Sequence, residues 1–231
     1  MAEDLKALEL TLGVTFREPS LLEQAMVHRS YFNENPGLSL PNNERLEFLG
    51  DAVLGFVVAE RLYKVVPGMS EGEMTMLRSD LVRQETLARQ AGSLGLGDFL
   101  LLGRGEEATG GRRRPSNLAR ALEAVIAAVL LDRGIVAART FVLKVFSREL
   151  SRVASGKMNL EYKARLQQAV KDERRLVPSY RTVEISGPEH DLRYTVEVLV
   201  GEDVVGRGSG KNKKAAESEA ARAALRSRGA I

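Results

Sequence analysis

The hydrophobic period of this chain changes once, near residue 155, and that change sets what the chain can fold into. Up to about residue 150, apolar residues recur every three or four positions, as in Leu46, Leu49, Val53, Phe56 and Val57. That is the spacing of a helix with one buried face. Later, Leu192, Tyr194, Val196, Val198 and Val200 alternate with polar neighbours, the period of a half-buried strand. The expected architecture is therefore multidomain: an all-α unit over residues 1–152, a short linker over 153–159, and a small α+β unit over 160–231.

Breakers in the first unit are few and clustered, at residues 36–41, 67–68, 92–97 and 103–115. The last of these, GRGEEATGGRRRPSN, is polar and glycine-rich and reads as an exposed loop leading into a helix at about Asn117. LARALEAVIAAVLLDRG then reads as a buried helix stopped at Gly134, with a further helix over about 135–154. In the second unit, EYKARLQQAVKDE is amphipathic, with Tyr162, Leu166 and Val170 as its core face. YRTVEIS, DLRYTVEVLV and about 203–208 supply three strands, and GKNKKAAESEAARAAL closes as a helix. The order is α-β-β-β-α.

Composition removes several classes of function. With no cysteine there are no disulfides, no zinc-thiolate sites and no thiol nucleophiles. Two histidines, His28 and His190, cannot build a His-rich metal site, and no G-x-S-x-G elbow occurs. No run approaches the ~20 apolar residues of a membrane span. The opening MAEDLKALELTLG carries Glu3 and Asp4 where an export signal would be positive. These features lead us to expect a cytoplasmic chain that is not a membrane protein.

The net charge is only +3, but it is unevenly placed. Residues 1–159 hold 20 basic and 20 acidic residues, while 207–228 alone hold seven against two. A local basic stripe suits either a polyanionic partner or a solvated helix face.

The most informative segment is Asn43-Glu44-Arg45-Leu46-Glu47-Phe48-Leu49-Gly50-Asp51. Glu44, Glu47 and Asp51 stand at i, i+3 and i+7, one stripe of a helix. Like charges in a row repel, and a hard cation would remove that cost. Mg²⁺ takes one or two carboxylates and keeps several waters. The other reading is a solvated acidic face. Against it, Leu46, Leu49, Val53 and Leu54 mark a well-buried helix, and Gly50 marks the close approach of another element.

NERLEFLGDAVLG resembles the signature of the ribonuclease III family, the endoribonucleases specific for double-stranded RNA. LLEQAMVHRSY, SEGEMTMLRSDLV and NLARALEAVIAAVLLDRG resemble further segments of that family's helical catalytic domain. The C-terminal part resembles a double-stranded RNA-binding domain, with GRGSGKNKKAAESEAARAAL as its third strand, phosphate-binding loop and last helix. The resemblance spans essentially the whole chain.

It implies catalytic roles for Asp51 and Glu123. It also implies metal-binding roles for Glu47, Asp51 and Glu123, and accessory roles for Glu44 and Glu71. The cofactor implied is Mg²⁺, with Mn²⁺ as a substitute, and no small-molecule cofactor. The chemistry implied is attack of a metal-activated water on a backbone phosphate, leaving 5′-phosphate and 3′-hydroxyl ends. The partners implied are double-stranded RNA, such as ribosomal and other structured precursors, and a second copy of the catalytic domain. His28 is expected to be structural.

One position departs from the pattern. Where the family usually has an aspartate three residues before the final glutamate, this chain has Arg120. Arg120 could pair with Glu123 or Glu47 and contact the phosphate while one metal remains. It could instead close the site and leave a binding protein that does not cut. As a third reading, Glu106 or Glu107 could supply the missing carboxylate.

In the second unit, Lys211, Lys213 and Lys214 stand at the start of the last helix, where backbone N–H groups and the helix dipole attract phosphate. Gly206, Gly208 and Gly210 permit close backbone approach. Asn212 can cap that helix. Resemblance adds Gln167 as a ribose contact and His190 as a minor-groove loop residue. A-form RNA is read by such backbone and 2′-hydroxyl contacts. Arg112, Arg113 and Arg114 are read either as RNA contacts or as a solvated loop.

Overall fold

The structure is a computed structural model, described here over residues 2–65, 68–154, 162–174, 176–188, 191–229 and 231. The chain divides into two compact units. One comprises residues 1–69 and 74–158, and the other 70–73 and 159–231. Residues 153 and 154 close a helix, while the remainder of the expected linker, 155–159, lies outside the described residues.

The first unit is helical throughout. Its elements are α1 (Ala2–Leu12), α2 (Pro19–Met26), α3 (Arg29–Glu34), α4 (Glu44–Val65), α5 (Glu71–Val82, of which 71–73 group with the second unit), α6 (Gln84–Ser93), α7 (Leu96–Phe99), α8 (Arg104–Ala108), α9 (Pro115–Val145) and α10 (Ser147–Ala154). Local signals start several of them. Pro19 stands at the first position of α2, where its missing N–H costs nothing. Ser70 and Glu73 form a capping box at α5: Glu73 N–H donates to Ser70 Oγ at 3.2 Å, and Ser70 N–H to Glu73 Oε2 at 3.0 Å.

α9 is the axis of this unit and packs against α4, α6 and α2. Leu122 and every residue from Ala124 to Val129 are fully buried, which suits a run of small and β-branched side chains without a charge. Each fully buried Val or Leu contributes roughly 1.5–3 kcal/mol relative to exposure. Gly134 interrupts α9 at φ 79°, ψ 176°, so two helices meet there, as the sequence indicates. Phe146 then separates α10 from α9, so the helix expected over 135–154 is broken once.

The segment read as an open loop is instead built. α8 and a short 3-10 turn at Gly111–Arg113 lie within it, and α9 begins at Pro115. Arg112 donates to the carbonyls of Gly97, Asp98 and Leu100 at 3.0, 3.2 and 2.7 Å and pairs with Glu107. Arg114 and Asn117 both donate to Glu106. These side-chain ties replace the apolar contacts that a polar segment lacks.

The second unit runs α11 (Tyr162–Arg174), β1 (Ser179–Ser186), β2 (Arg193–Val200), β3 (Asp203–Gly210) and α12 (Lys213–Ser227). The strands form one antiparallel sheet in the order β1-β2-β3, with Val198 opposite Tyr180 on one side and Gly206 on the other. Val196, Val198 and Val200 are buried, as their alternation requires, together with Tyr162, Leu166 and Val170 of α11. Ala216, Ala220 and Ala224 of α12 are fully buried. A Cβ on Gly206, Gly208 or Gly210 would overlap the α12 backbone. The close approach these glycines permit is therefore of helix to sheet, not of ligand to loop.

Among the described residues no helix is long and apolar enough to cross a membrane.

Candidate active site and nucleic-acid interface

The carboxylates meet where α4 crosses α9. A Cβ on Gly50 would overlap the backbone carbonyl of Glu123, so the two helices touch at this point only because Gly50 has no side chain. The upstream end of α4 is anchored by buried Asn43, whose side chain donates to Ala25 O at 3.1 Å and whose N–H donates to Val27 O at 2.9 Å. On α9, buried Ala119, Ala121 and Leu122 fix the rotation of the helix, which turns Arg120 and Glu123 toward α4.

The result is a cleft of about 420 Å³ lined by Arg29, Glu44, Glu47, Phe48, Asp51, Arg120 and Glu123. Four of the five expected acidic residues are thus together. Glu71 opens α5 as an exposed residue and does not line the cleft. Neither does Glu106 or Glu107, each held by its own arginine, so the structure does not support a replacement carboxylate from that segment.

The charges pair unevenly. Arg29 stands 4.0 Å from Glu44, whose carboxylate also accepts from Asn42 at 3.0 Å. Arg120 Nε stands 3.4 Å from Glu47 Oε1. Among the described residues, no basic group lies within 4 Å of Asp51 or Glu123. Burial raises the Glu47 carboxyl, with Arg120 opposing and Glu44 and Asp51 adding to the rise. Burial, then the negative charges of Asp51 and Glu47, push Glu123 up to about 7.

Among the described residues, no three acidic or histidine side chains converge as a ready-made metal cage. The donor set nevertheless fits a hard divalent cation. Its members are carboxylates on two helices locked together, and burial first, then the neighbouring negative charges, push one of them, Glu123, up to about 7, a cost that a bound cation would relieve. Asp51 and Glu123 could hold an ion that keeps most of its waters, with Glu47 beside them in the same cleft.

His28 is structural, as expected. It is buried and caps α3, with Nδ1 accepting from Ser30 N–H at 3.2 Å. Burial, above all, holds its imidazole below the usual histidine range. Arg29 and Phe48 of the cleft were not singled out from sequence. No spacing links Arg29 to α4, because a separate chain reversal brings it there.

In the second unit, Lys211, Lys213 and Lys214 are all exposed at the start of α12. Asn212 caps that helix, its Oδ1 accepting from Ala215 N–H at 2.9 Å. Gln167 is exposed on α11. His190 lies outside the described residues. Arg112 and Arg114 are engaged within the protein and half-buried, and Arg113 of that run is exposed.

Residues 18–150 match the family model described as ribonuclease-III-like, and residues 162–228 match the double-stranded RNA binding motif. The chain is 50% identical to a ribonuclease 3 of Dehalococcoides mccartyi over 222 residues, 96% of this chain and 94% of that one. It is 47% identical to a ribonuclease 3 of Roseiflexus over 227 residues, 97% and 96% of the two chains. A solved nuclease domain of ribonuclease III from Campylobacter jejuni superposes with a TM-score of 0.57 at 42% identity, covering 61% of this chain and 94% of that one. That structure was described for flexibility in a region involved in dimer formation.

Proposed function

This chain belongs to the ribonuclease III family, whose members cut double-stranded RNA, and from that premise we propose that it hydrolyses RNA duplexes at the α4–α9 cleft with Mg²⁺. The observation that carries the reading is the meeting of Glu44, Glu47, Asp51 and Glu123 in one cleft, with Asp51 and Glu123 lacking a basic partner among the described residues.

Asp51 and Glu123 would hold the cation, and Glu47 would complete the set, with Mn²⁺ as a substitute. When bound, such an ion lowers the pKa of a water and offsets charge developing on the phosphate. The chain's own residues do the rest. Gly50 keeps the two helices at contact, so the carboxylates keep their spacing. Glu44, held by Asn42 and Arg29, adds negative potential at the rim. Glu71, exposed at the start of α5, would act as an accessory acid toward the substrate. In the second unit, Lys211, Lys213 and Lys214 would meet phosphates, Gln167 would meet ribose hydroxyls, and His190 is proposed for a minor groove. The expected ends are 5′-phosphate and 3′-hydroxyl.

Two copies would pair through the catalytic unit. α4 carries Phe48, Phe56 and Tyr63 on one side, exposed by 81%, 58% and 76%. An aromatic stripe of that size on a single helix marks an interaction surface. Phe48 also borders the cleft, so pairing would set two clefts near one duplex. Sedimentation at micromolar concentration checks this: a dimer is expected, and Phe56→Asp with Tyr63→Asp gives a monomer.

A second reading is a binding homologue that does not cut. The pairing of Arg120 with Glu47 favours it. Incubation of a labelled RNA duplex with the protein, with and without Mg²⁺, separates the two. Mg²⁺-dependent short products support the nuclease, and tight binding without products supports the alternative.

A further inference from the structure

We infer that Arg120 is a built-in cation of the cleft: it occupies the place of a second divalent ion and presents its guanidinium to the scissile phosphate. The inference rests on the nuclease reading above. It starts from where the side chain stands. Arg120 leaves α9 one turn before Glu123, between two buried alanines, and about two-fifths of its side chain is exposed at the cleft mouth. It approaches Glu47 through Nε at 3.4 Å, an ion pair without a hydrogen bond among the described residues. Among the described residues, its terminal amino groups have no hydrogen-bond partner. A guanidinium that neutralises a carboxylate with one edge and leaves its fork free is placed to bind two phosphate oxygens together.

Charge sets how many ions the cleft takes. Four carboxylates and two guanidinium groups line it, a formal charge of −2. One divalent cation at the Asp51–Glu123 end brings that to zero. A second would add two positive charges beside Arg120, where no unpaired carboxylate faces it. With an acid at position 120 the lining would stand at −4, enough for two. Arg120 thus fixes the count at one and supplies from the protein the charge that the second ion would bring.

In the reaction the oxygen of the attacking water joins phosphorus and the bond to the 3′ oxygen breaks. The proton lost by the water is matched by the one the 3′ oxygen gains. Arg120 transfers nothing. It donates N–H bonds to the non-bridging oxygens as their charge rises, a contribution realised in the transition state.

The test counts Mn²⁺ bound per chain, from the electron paramagnetic resonance of the free ion, for the full-length protein and for Arg120→Asp, Arg120→Gln and Arg120→Lys. Thermal melts confirm that each variant folds. The unaltered chain is expected to hold one ion, Arg120→Asp two, and Arg120→Gln one. Cleavage of a short RNA duplex by Arg120→Gln is expected to lose about 100-fold in kcat with little change in KM, and Arg120→Lys to recover part of it. Two ions in an unaltered chain that cuts normally overturn this inference alone. So does an Arg120→Asp chain that gains none, or an Arg120→Gln chain that cuts at full rate. An unaltered chain that binds Mn²⁺ and cuts no duplex overturns the nuclease reading and, with it, the role of Arg120 toward phosphate.

Discussion

The two regions proposed to meet the same polyanion carry opposite charge. At α12 the arrangement is direct: exposed lysines, a capped helix start and its dipole all attract phosphate. At the α4–α9 crossing four carboxylates line one cleft, which repels a phosphate backbone unless a cation intervenes. The difference separates holding from cutting. A basic surface binds a backbone at low cost and leaves its bonds intact. An acidic one is poor at binding and, on the reading proposed above, would hold a cation that could activate a water at a single phosphate.

The largest expected effect isolates the acidic region. Asp51→Asn should lower duplex cleavage by about a thousandfold or more while leaving RNA affinity in the absence of metal unchanged or improved. A gel-shift titration beside a cleavage time course checks both, and equal loss in the two would erase the distinction drawn above.

Next is the shared use of a glycine contact. Gly50→Ala gains about 1 kcal/mol of helix propensity, but its Cβ meets the Glu123 carbonyl, backbone that cannot swing aside. Overpacking of that kind costs roughly 1–3 kcal/mol, and the clash should win. Gly208→Ala should do the same where β3 meets α12. Denaturant unfolding measures both. Gly50→Ala should also impair cleavage, and Gly208→Ala should impair binding.

A smaller effect tests the basic region. Lys213→Ala with Lys214→Ala should weaken duplex binding about tenfold and flatten the dependence of log affinity on log salt by about 1–2. Fluorescence titrations across low to moderate salt show this, and an unchanged slope removes these lysines from the interface.

The last contrast is a pH dependence, read on stability and not on RNA. Glu123 stands at about 7 in the folded chain against an ordinary glutamate value of 4.5. Between those values the folded chain binds more protons than the unfolded one, so stability falls as pH rises through the window. Glu123→Gln cannot ionise. In metal-free buffer it should melt above the unaltered chain at pH 8, with the gap closing toward pH 5. Calorimetry at several pH values measures it.

Much of this was legible because the governing interactions are local in sequence. The i, i+3, i+7 stripe of Glu44, Glu47 and Asp51 follows from helix geometry, as does the placing of Arg120 beside Glu123. The switch of period gives the second unit its α-β-β-β-α order. Gly50 announced a close approach and Asn212 a cap, and both are found. What was not legible depends on distant partners. GRGEEATGGRRRPSN has the composition of a loop, yet Arg112 and Arg114 fasten it to carbonyls and carboxylates elsewhere. Arg29 enters the cleft through a turn that no periodicity reports. The glycines of β3 signalled proximity without saying to what, and the partner proved to be α12.

Gly50 carries one more consequence, for how such a site can change over generations. Leu54 or Val58 can trade methylenes with a neighbour and keep the core filled. Gly50 has no such latitude, because every other amino acid brings the atom that overlaps Glu123. The spacing between the two helices is therefore closed to gradual adjustment. Variation in the chemistry of this cleft has to come from the side chains that project into it, and position 120 is one of them.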